Sequence, residues 1–302
     1  MNQRISRRSA LGKVTGGTVA FAAAASLPRH VVAADVAAEA KLKGNIHHSV
    51  SAWCYNRLFN GNSAKMSFED FCRECARMGL ESVELLGSAE WPAVKKAGIT
   101  CAMCNGPDSI GYGWNRLDHH DVLLPKFEKA IPEVAEFGFP NIITFSGERK
   151  GMSNEEGLEN CVKGLKRLVP LAEKHKVTVI LELLNSKVDH KDYMADHTAW
   201  GVEVVKQVGS ERLKLLYDIY HMQIMEGDVI RTIKNNHQYI GHYHTGGVPG
   251  RNEIDDTQEL NYSAVMKAIA ATGFKGFVGQ EFVPKRPDAL ASLRQAIQIC
   301  DV

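Results

Sequence analysis

Val177-Thr178-Val179-Ile180-Leu181-Glu182 and Leu213-Lys214-Leu215-Leu216-Tyr217-Asp218 are six-residue apolar runs that end in a carboxylate. Tyr239-Ile240-Gly241-His242-Tyr243-His244 and Gly276-Phe277-Val278-Gly279-Gln280-Glu281 repeat the design with an imidazole and a third carboxylate. Runs of this length, apolar almost throughout, read as parallel strands buried on both faces. Four more precede them: Ile46 to Trp53, Ser82 to Leu86, Ile99 to Cys104 and Asn141 to Phe145. Longer segments with helical spacing lie between, such as Phe68, Phe71, Cys75 and Met78, or Val202, Val205 and Val208. Ser67 and Ser153 sit where helices should start, with Asp70 and Glu156 three residues on. Gly79, Gly98, Gly138, Gly209 and Gly273 each close a helical run before the next strand. Eight alternations of strand and helix predict an α/β fold, a (β/α)8 TIM barrel over residues 46–302 in one domain. An open doubly wound sheet would carry a glycine-rich phosphate loop after its first strand, and Ala52-Trp53-Cys54-Tyr55 is not one.

The first residues have a different character. Ser6-Arg7-Arg8-Ser9-Ala10-Leu11-Gly12-Lys13 precedes an Ala-rich apolar run from Val14 to Leu27, and Val32-Ala33-Ala34 supplies small residues for cleavage. This pattern resembles a twin-arginine export signal. Residues 1–34 are expected to be a cleavable export signal and 35–45 a short linker, which places the mature protein in the periplasm or otherwise outside the cytoplasm. The apolar run is shorter than the ~20 residues that span a bilayer, so no stable membrane insertion is expected after cleavage.

With 36 basic and 35 acidic residues among 302, the chain has no field suited to nucleic acid or an anionic membrane. A small neutral or singly charged substrate fits better, and a homo-oligomer is compatible with the sequence. Of seven cysteines, Cys72 with Cys75 and Cys101 with Cys104 have the spacing of a zinc or disulfide pair. Both pairs lie in apolar patterns that buried free thiols also explain.

Catalytic groups in a TIM barrel project from the C-terminal ends of strands. Glu182, Asp218, His244 and Glu281 are the last residues of four consecutive strands, so they should meet at one rim. Singly, each could cap a helix or sit hydrogen-bonded in the core. Together, three carboxylates would repel one another unless a cation neutralised them. One divalent metal ion is expected, and oxygen-rich ligation with one imidazole suits Mn²⁺ first, with Mg²⁺ or Co²⁺ as alternatives. Trp53, at the end of the first strand, could wall the substrate pocket. His242 shares a strand face with His244 and could face the same pocket. Glu84 reads equally as a partner of a ligand or as a helix cap. The pairs His47-His48 and His119-His120 read as surface or core residues.

The pieces Leu181-Glu182-Leu183-Leu184-Asn185, Tyr217-Asp218-Ile219-Tyr220-His221-Met222-Gln223, Gly241-His242-Tyr243-His244, Pro249-Gly250-Arg251-Asn252-Glu253, Glu259-Leu260-Asn261-Tyr262 and Gln280-Glu281 together resemble the hydroxypyruvate isomerase family of xylose-isomerase-like barrels. The resemblance implies that Glu182 and Glu281 move protons as well as bind metal, and that His221 and Arg251 hold substrate oxygens. It implies a metal-dependent isomerase of a small hydroxy-carbonyl compound acting through an enediolate. Bacterial members of the family tend to have glutamine at the position of His244, where histidine is more like the ketose 3-epimerases of the same superfamily. Export is the second departure. An endonuclease IV-like phosphodiesterase would need more rim ligands and a basic surface, and a non-catalytic sugar-binding protein would have no use for both glutamates.

Overall fold

The computed structural model describes residues 41–302. The expected export signal and residues 35–40 of the expected linker lie outside the described residues. Lys43 and Asn45, at the linker's end, are bonded to Asp301 and the Val302 carbonyl, which ties the entry to the barrel to its exit.

Seven parallel strands form one curled sheet: β1 (His47–Ser51), β2 (Ser82–Glu84), β3 (Asn141–Thr144), β4 (Thr178–Glu182), β5 (Leu213–Asp218), β6 (Ile240–Thr245) and β7 (Phe277–Gln280), in the order β2-β1-β7-β6-β5-β4-β3. The gap between β2 and β3 is filled by Thr100–Cys104, the segment expected as the third of eight strands. It is not a continuous strand, and it makes isolated parallel bridges to both neighbours: Ser82 with Thr100, Leu86 with Cys104, and Cys104 with Ile142. The interruption has a local cause at Ala102. Its N–H donates to Ser82 Oγ at 2.8 Å, and its carbonyl accepts from Asn141 Nδ2 at 2.8 Å. Two side chains thus take over the hydrogen bonds a ladder would supply, and the ring still closes.

Helices cover the outside, the longest being α4 (Leu117–Glu136) and α5 (Asn154–His175). The expected caps form: Ser67 and Asp70 make a reciprocal capping box on α2 (Phe68–Arg77), and Ser153 accepts from the Glu156 N–H. Gly209 ends α6 (Thr198–Val208) at φ 74°, a left-handed conformation that a side chain would disfavour. Among the described residues no helix is long and apolar enough to cross a membrane.

Alternation along the strands separates two cores. Outward residues such as Val50, Val83, Leu181 and Tyr217 pack under the helices in the main cluster. Inside the barrel, Met103, Ile143, Ile180 and Leu216 form a smaller apolar floor on the side of β3 to β5. The opposite side is polar, with Ser49, Glu84, His242 and His244 fully buried. All seven cysteines are buried free thiols. Cys72 and Cys75 belong to the core face of α2, while Cys101 and Cys104 bring their sulfurs to 3.7 Å. No cysteine joins a potential metal cluster among the described residues.

Candidate active site

Glu182 closes β4, Asp218 closes β5, and His244 is the penultimate residue of β6. Glu281 falls one residue beyond β7, because the strand ends at Gln280. Each of the four offers a ligand atom within 4.8 Å of the others, and all are buried. Period-two alternation carries this down the sheet, since Ile180, Leu216, His242 and Gly279 lie two positions earlier and share the inward face.

Their environments differ. The Glu281 carboxylate accepts from Trp53 Nε1 at 2.8 Å and is paired with the Arg251 guanidinium. Burial works to raise its pKa, but the charges of Arg251 and His244 outweigh it and hold the group well below the usual range. No side-chain hydrogen bond from a described residue reaches the Glu182 carboxylate. Burial raises its pKa, and the Glu281 charge adds to the rise against the pull of His244 and Arg251. Burial likewise lifts Asp218 to about 8, although Arg251 sits 2.9 Å from its Oδ2. Asp218 Oδ1 also caps the helix that follows, α7 (Ile219–Met225), by accepting from the His221 N–H. Helix capping and membership of the acidic cluster therefore coincide in one side chain.

Arg251 and His221 complete the ring. The guanidinium bridges Asp218 and Glu281, reaches His221 Nε2 at 2.6 Å, and lies over the Tyr220 and Trp53 rings at 5.0 and 5.6 Å. It is aimed by a tight loop in which Arg251 itself has φ 54° and its N–H donates to the Gly247 carbonyl. Asn185 Nδ2 approaches His221 Nδ1 at 2.6 Å, and its Oδ1 accepts from the Val188 and Asp189 N–H groups. Burial, then the Arg251 charge, keeps His221 neutral.

A cavity of about 600 Å³ opens over these groups, with Glu182, Glu281, His221, Arg251 and Trp53 in its wall. Trp53 belongs to a 3-10 turn, Ala52–Tyr55, rather than to the expected strand, which ends at Ser51. The turn swings the indole over the mouth, 42% exposed, with its N–H on Glu281. His242 does not reach the cavity. It lies one layer deeper, fully buried, with Nε2 3.0 Å from Glu84 Oε1. His47 pairs with Glu81 outside the barrel, whereas His119 and His120 bond to backbone carbonyls of Gly113 and Trp114.

The sequence reading did not single out Asn185, His190 or Asp108, although the last two line the cavity. Asp108 accepts from the Phe145 N–H at 2.9 Å, and burial raises its pKa to about 7. At Asn185 and Asp108 the local signal was a turn-forming side chain in the loop after a strand, and His190 had none.

The donor set fits a divalent cation. His244 Nε2 faces Glu84 at 2.6 Å, so Nδ1 points to the other ligands, 2.9 Å from Glu281 and 3.7 Å from Glu182. At the angles found Nδ1 has no hydrogen-bond partner among the described residues. Burial opposes protonation of His244, yet the carboxylates around it drive its pKa well above the ordinary value. The cluster calls for positive charge at that point, which a metal ion could supply.

Residues 72–300 match the sequence profile of xylose isomerase-like TIM barrels. The chain belongs to the xylose isomerase-like TIM barrel family. Among curated relatives of this family member, a 2-oxo-tetronate isomerase from Cupriavidus necator is 38% identical over 109 residues, 36% of this chain and 41% of that protein. The hydroxypyruvate isomerase of Escherichia coli is 32% identical over 138 residues, 45% of this chain and 52% of that protein. The matched stretches thus span about half the length of these two relatives or less. A solved structure titled AP endonuclease, family 2, from Brucella melitensis superposes with a TM-score of 0.70 at 22% identity, over 82% of this chain and 97% of that one. At that identity the likeness shows the xylose isomerase-like fold alone.

Proposed function

We propose that this protein is a divalent-metal-dependent isomerase of a small hydroxy-carbonyl compound, of the kind named in its hydroxypyruvate and 2-oxo-tetronate isomerase relatives. The observation that carries this reading is the cluster of Glu182, Asp218, His244 and Glu281 beside a cavity with His221 and Arg251 in its wall. Those four residues would hold the ion. Bound there, it would polarise a carbonyl oxygen and stabilise the negative charge that develops on it.

Moving a carbonyl to the next carbon needs one proton to leave the α-carbon and one to arrive at the former carbonyl carbon, through an enediolate. Two positioned carboxyl groups can do this. Glu182 is the better base, because burial raises its affinity for a proton and none of the described residues donates a hydrogen bond to its carboxylate. Glu281, which Arg251 and His244 hold ionised, would take the proton released by the substrate hydroxyl and pass it to the former carbonyl carbon, while Glu182 would hand the α-carbon proton to the former carbonyl oxygen. The Arg251 side chain makes four donor contacts, to Asp218, to His221 and twice to Glu281, which leaves one of its five N–H groups for a substrate oxygen. His221, kept neutral, can donate or accept at a hydroxyl without adding charge. The Trp53 face and the apolar floor shield the reacting carbons from water.

Ketose 3-epimerisation is the second reading. It is favoured by the size of the cavity, which exceeds what a three-carbon acid fills, and by histidine at position 244. In that case the two glutamates would act on one carbon from opposite faces.

Metal analysis and turnover test both readings. One Mn²⁺, Mg²⁺ or Co²⁺ per chain should restore activity after chelation, and saturating metal at a hundredfold excess over its Kd should add about 2.7 kcal/mol to stability. Faster turnover of hydroxypyruvate or 2-oxo-tetronate than of ketohexoses supports isomerisation, and the reverse order supports epimerisation. Full activity in a chain stripped of metal would overturn both.

A further inference from the structure

Glu84, at the end of β2, is fully buried and has donors on both carboxylate oxygens. Oε1 faces His244 Nε2 at 2.6 Å and His242 Nε2 at 3.0 Å, and Oε2 accepts from Ser49 Oγ at 2.5 Å. A carboxylate cannot donate, so both imidazoles must present Nε2–H to it. For His244 this leaves Nδ1 as the nitrogen that faces Glu182 and Glu281.

The access is built by an omission. Gly279 of β7 lies across from Glu84, and a Cβ there would fall 2.4 Å from Glu84 Oε1 and 2.9 Å from the His244 ring. Any side chain at 279 would push the carboxylate off the histidine. His242 and Ser49 then act as anchors that keep Glu84 in place below the cavity.

We propose that Glu84 is a positioning residue for His244: its carboxylate, admitted by Gly279 and anchored by Ser49 and His242, fixes the imidazole tautomer and ring angle that present Nδ1 as the metal-binding nitrogen. The inference rests on the metal centre proposed above. A carboxylate behind a ligating histidine holds its orientation and increases its basicity, and losing such a partner typically weakens metal binding by about 10- to 100-fold.

The test uses the full chain and Zn²⁺ as a diamagnetic probe, with two readouts besides activity. Competition with a chelating dye gives the Zn²⁺ affinity, and ¹⁵N NMR of histidine-labelled protein identifies which His244 nitrogen binds the ion. Wild type should bind through Nδ1 with a slowly exchanging Nε2–H. Glu84→Gln, which keeps the volume, and Gly279→Ala, which changes no ligand residue but crowds both Glu84 and the His244 ring, should each weaken Zn²⁺ binding by about 10- to 100-fold. Binding through Nε2 in wild type, or wild-type affinity in both variants with only a lowered Tm, overturns the inference while leaving the metal centre standing. A wild-type chain that binds no Zn²⁺ overturns both. The wild-type NMR result decides the point even where a variant fails to fold.

Discussion

Glu182 closes its strand and Glu281 lies one residue past the end of its own, and the two are held differently. Trp53 and Arg251 fix Glu281, while at the cavity wall the Glu182 carboxylate has no hydrogen-bond donor among the described residues. Glu182→Gln and Glu281→Gln should therefore keep the fold and the melting profile but lower kcat by about 10²- to 10⁴-fold, measured on purified variants with saturating metal. Trp53→Phe keeps an aromatic face and removes one hydrogen bond to Glu281. Its expected effect is a smaller loss in kcat, of about tenfold, the size of a single net hydrogen bond near 1.4 kcal/mol. The meeting of Glu182, Asp218, His244 and Glu281 in one cluster was legible because strand ends can be read from a run of apolar residues closed by a polar one. Trp53 was legible as a rim residue, but its backbone was not, since an apolar strand and a 3-10 turn of apolar residues look alike in sequence. For His242 the parity was right and the depth was hidden. Period two tells which way a side chain points, but not that a glutamate from a distant strand will lie above it.

Among the elements, the segment Thr100–Cys104 departs most from its sequence reading. It has the composition of a strand, and what interrupts it comes from residues far along the chain, Ser82 and Asn141, whose side chains capture both polar groups of Ala102. That kind of long-range competition leaves no local signature. Asn141→Ala should leave the buried Ala102 carbonyl without a partner and cost about 1–3 kcal/mol, read from urea unfolding at neutral pH. Helix ends were far more legible, because capping is a contact between residues three apart. Ser67 with Asp70 is the clearest case. The loop carrying Arg251 could be placed by resemblance but not by pattern, for its aim depends on Gly247 and on a left-handed residue at 251 itself.

For the whole molecule, acid sensitivity should trace in part to His48, which is 1% exposed and has no hydrogen-bond partner for either ring nitrogen among the described residues. Burial lowers its pKa from 6.5 to about 4, against a raising pull from Asp301. The unfolded chain takes up that proton first as pH falls. The stabilising effect of a neutral His48 is thus complete above about pH 6.5 and is lost as pH falls through about 4, amounting to ~3 kcal/mol. His48→Leu should flatten the decline in unfolding free energy between pH 7 and pH 4, measured by denaturant titration. An unchanged slope would place the acid sensitivity elsewhere.

Export is also a matter for the whole chain, and we propose that residues 1–34 are an export signal whose paired arginines direct the folded barrel out of the cytoplasm. Residues 1–40 fused to a reporter should export it, and changing Arg7 and Arg8 to lysine should stop export. Export that persists in the lysine variant would indicate a general secretion signal.

The central claim is that two glutamates beside a metal centre pass protons on and off carbon. The most direct measurement is turnover of hydroxypyruvate or 2-oxo-tetronate by the Mn²⁺-loaded chain in heavy water, with the product examined by mass spectrometry and NMR. The product should carry one solvent-derived deuterium on carbon, and Glu182→Gln should lose that label together with turnover. Product formed at the wild-type rate with no deuterium on carbon would contradict it and point to a hydride moving directly between the two carbons.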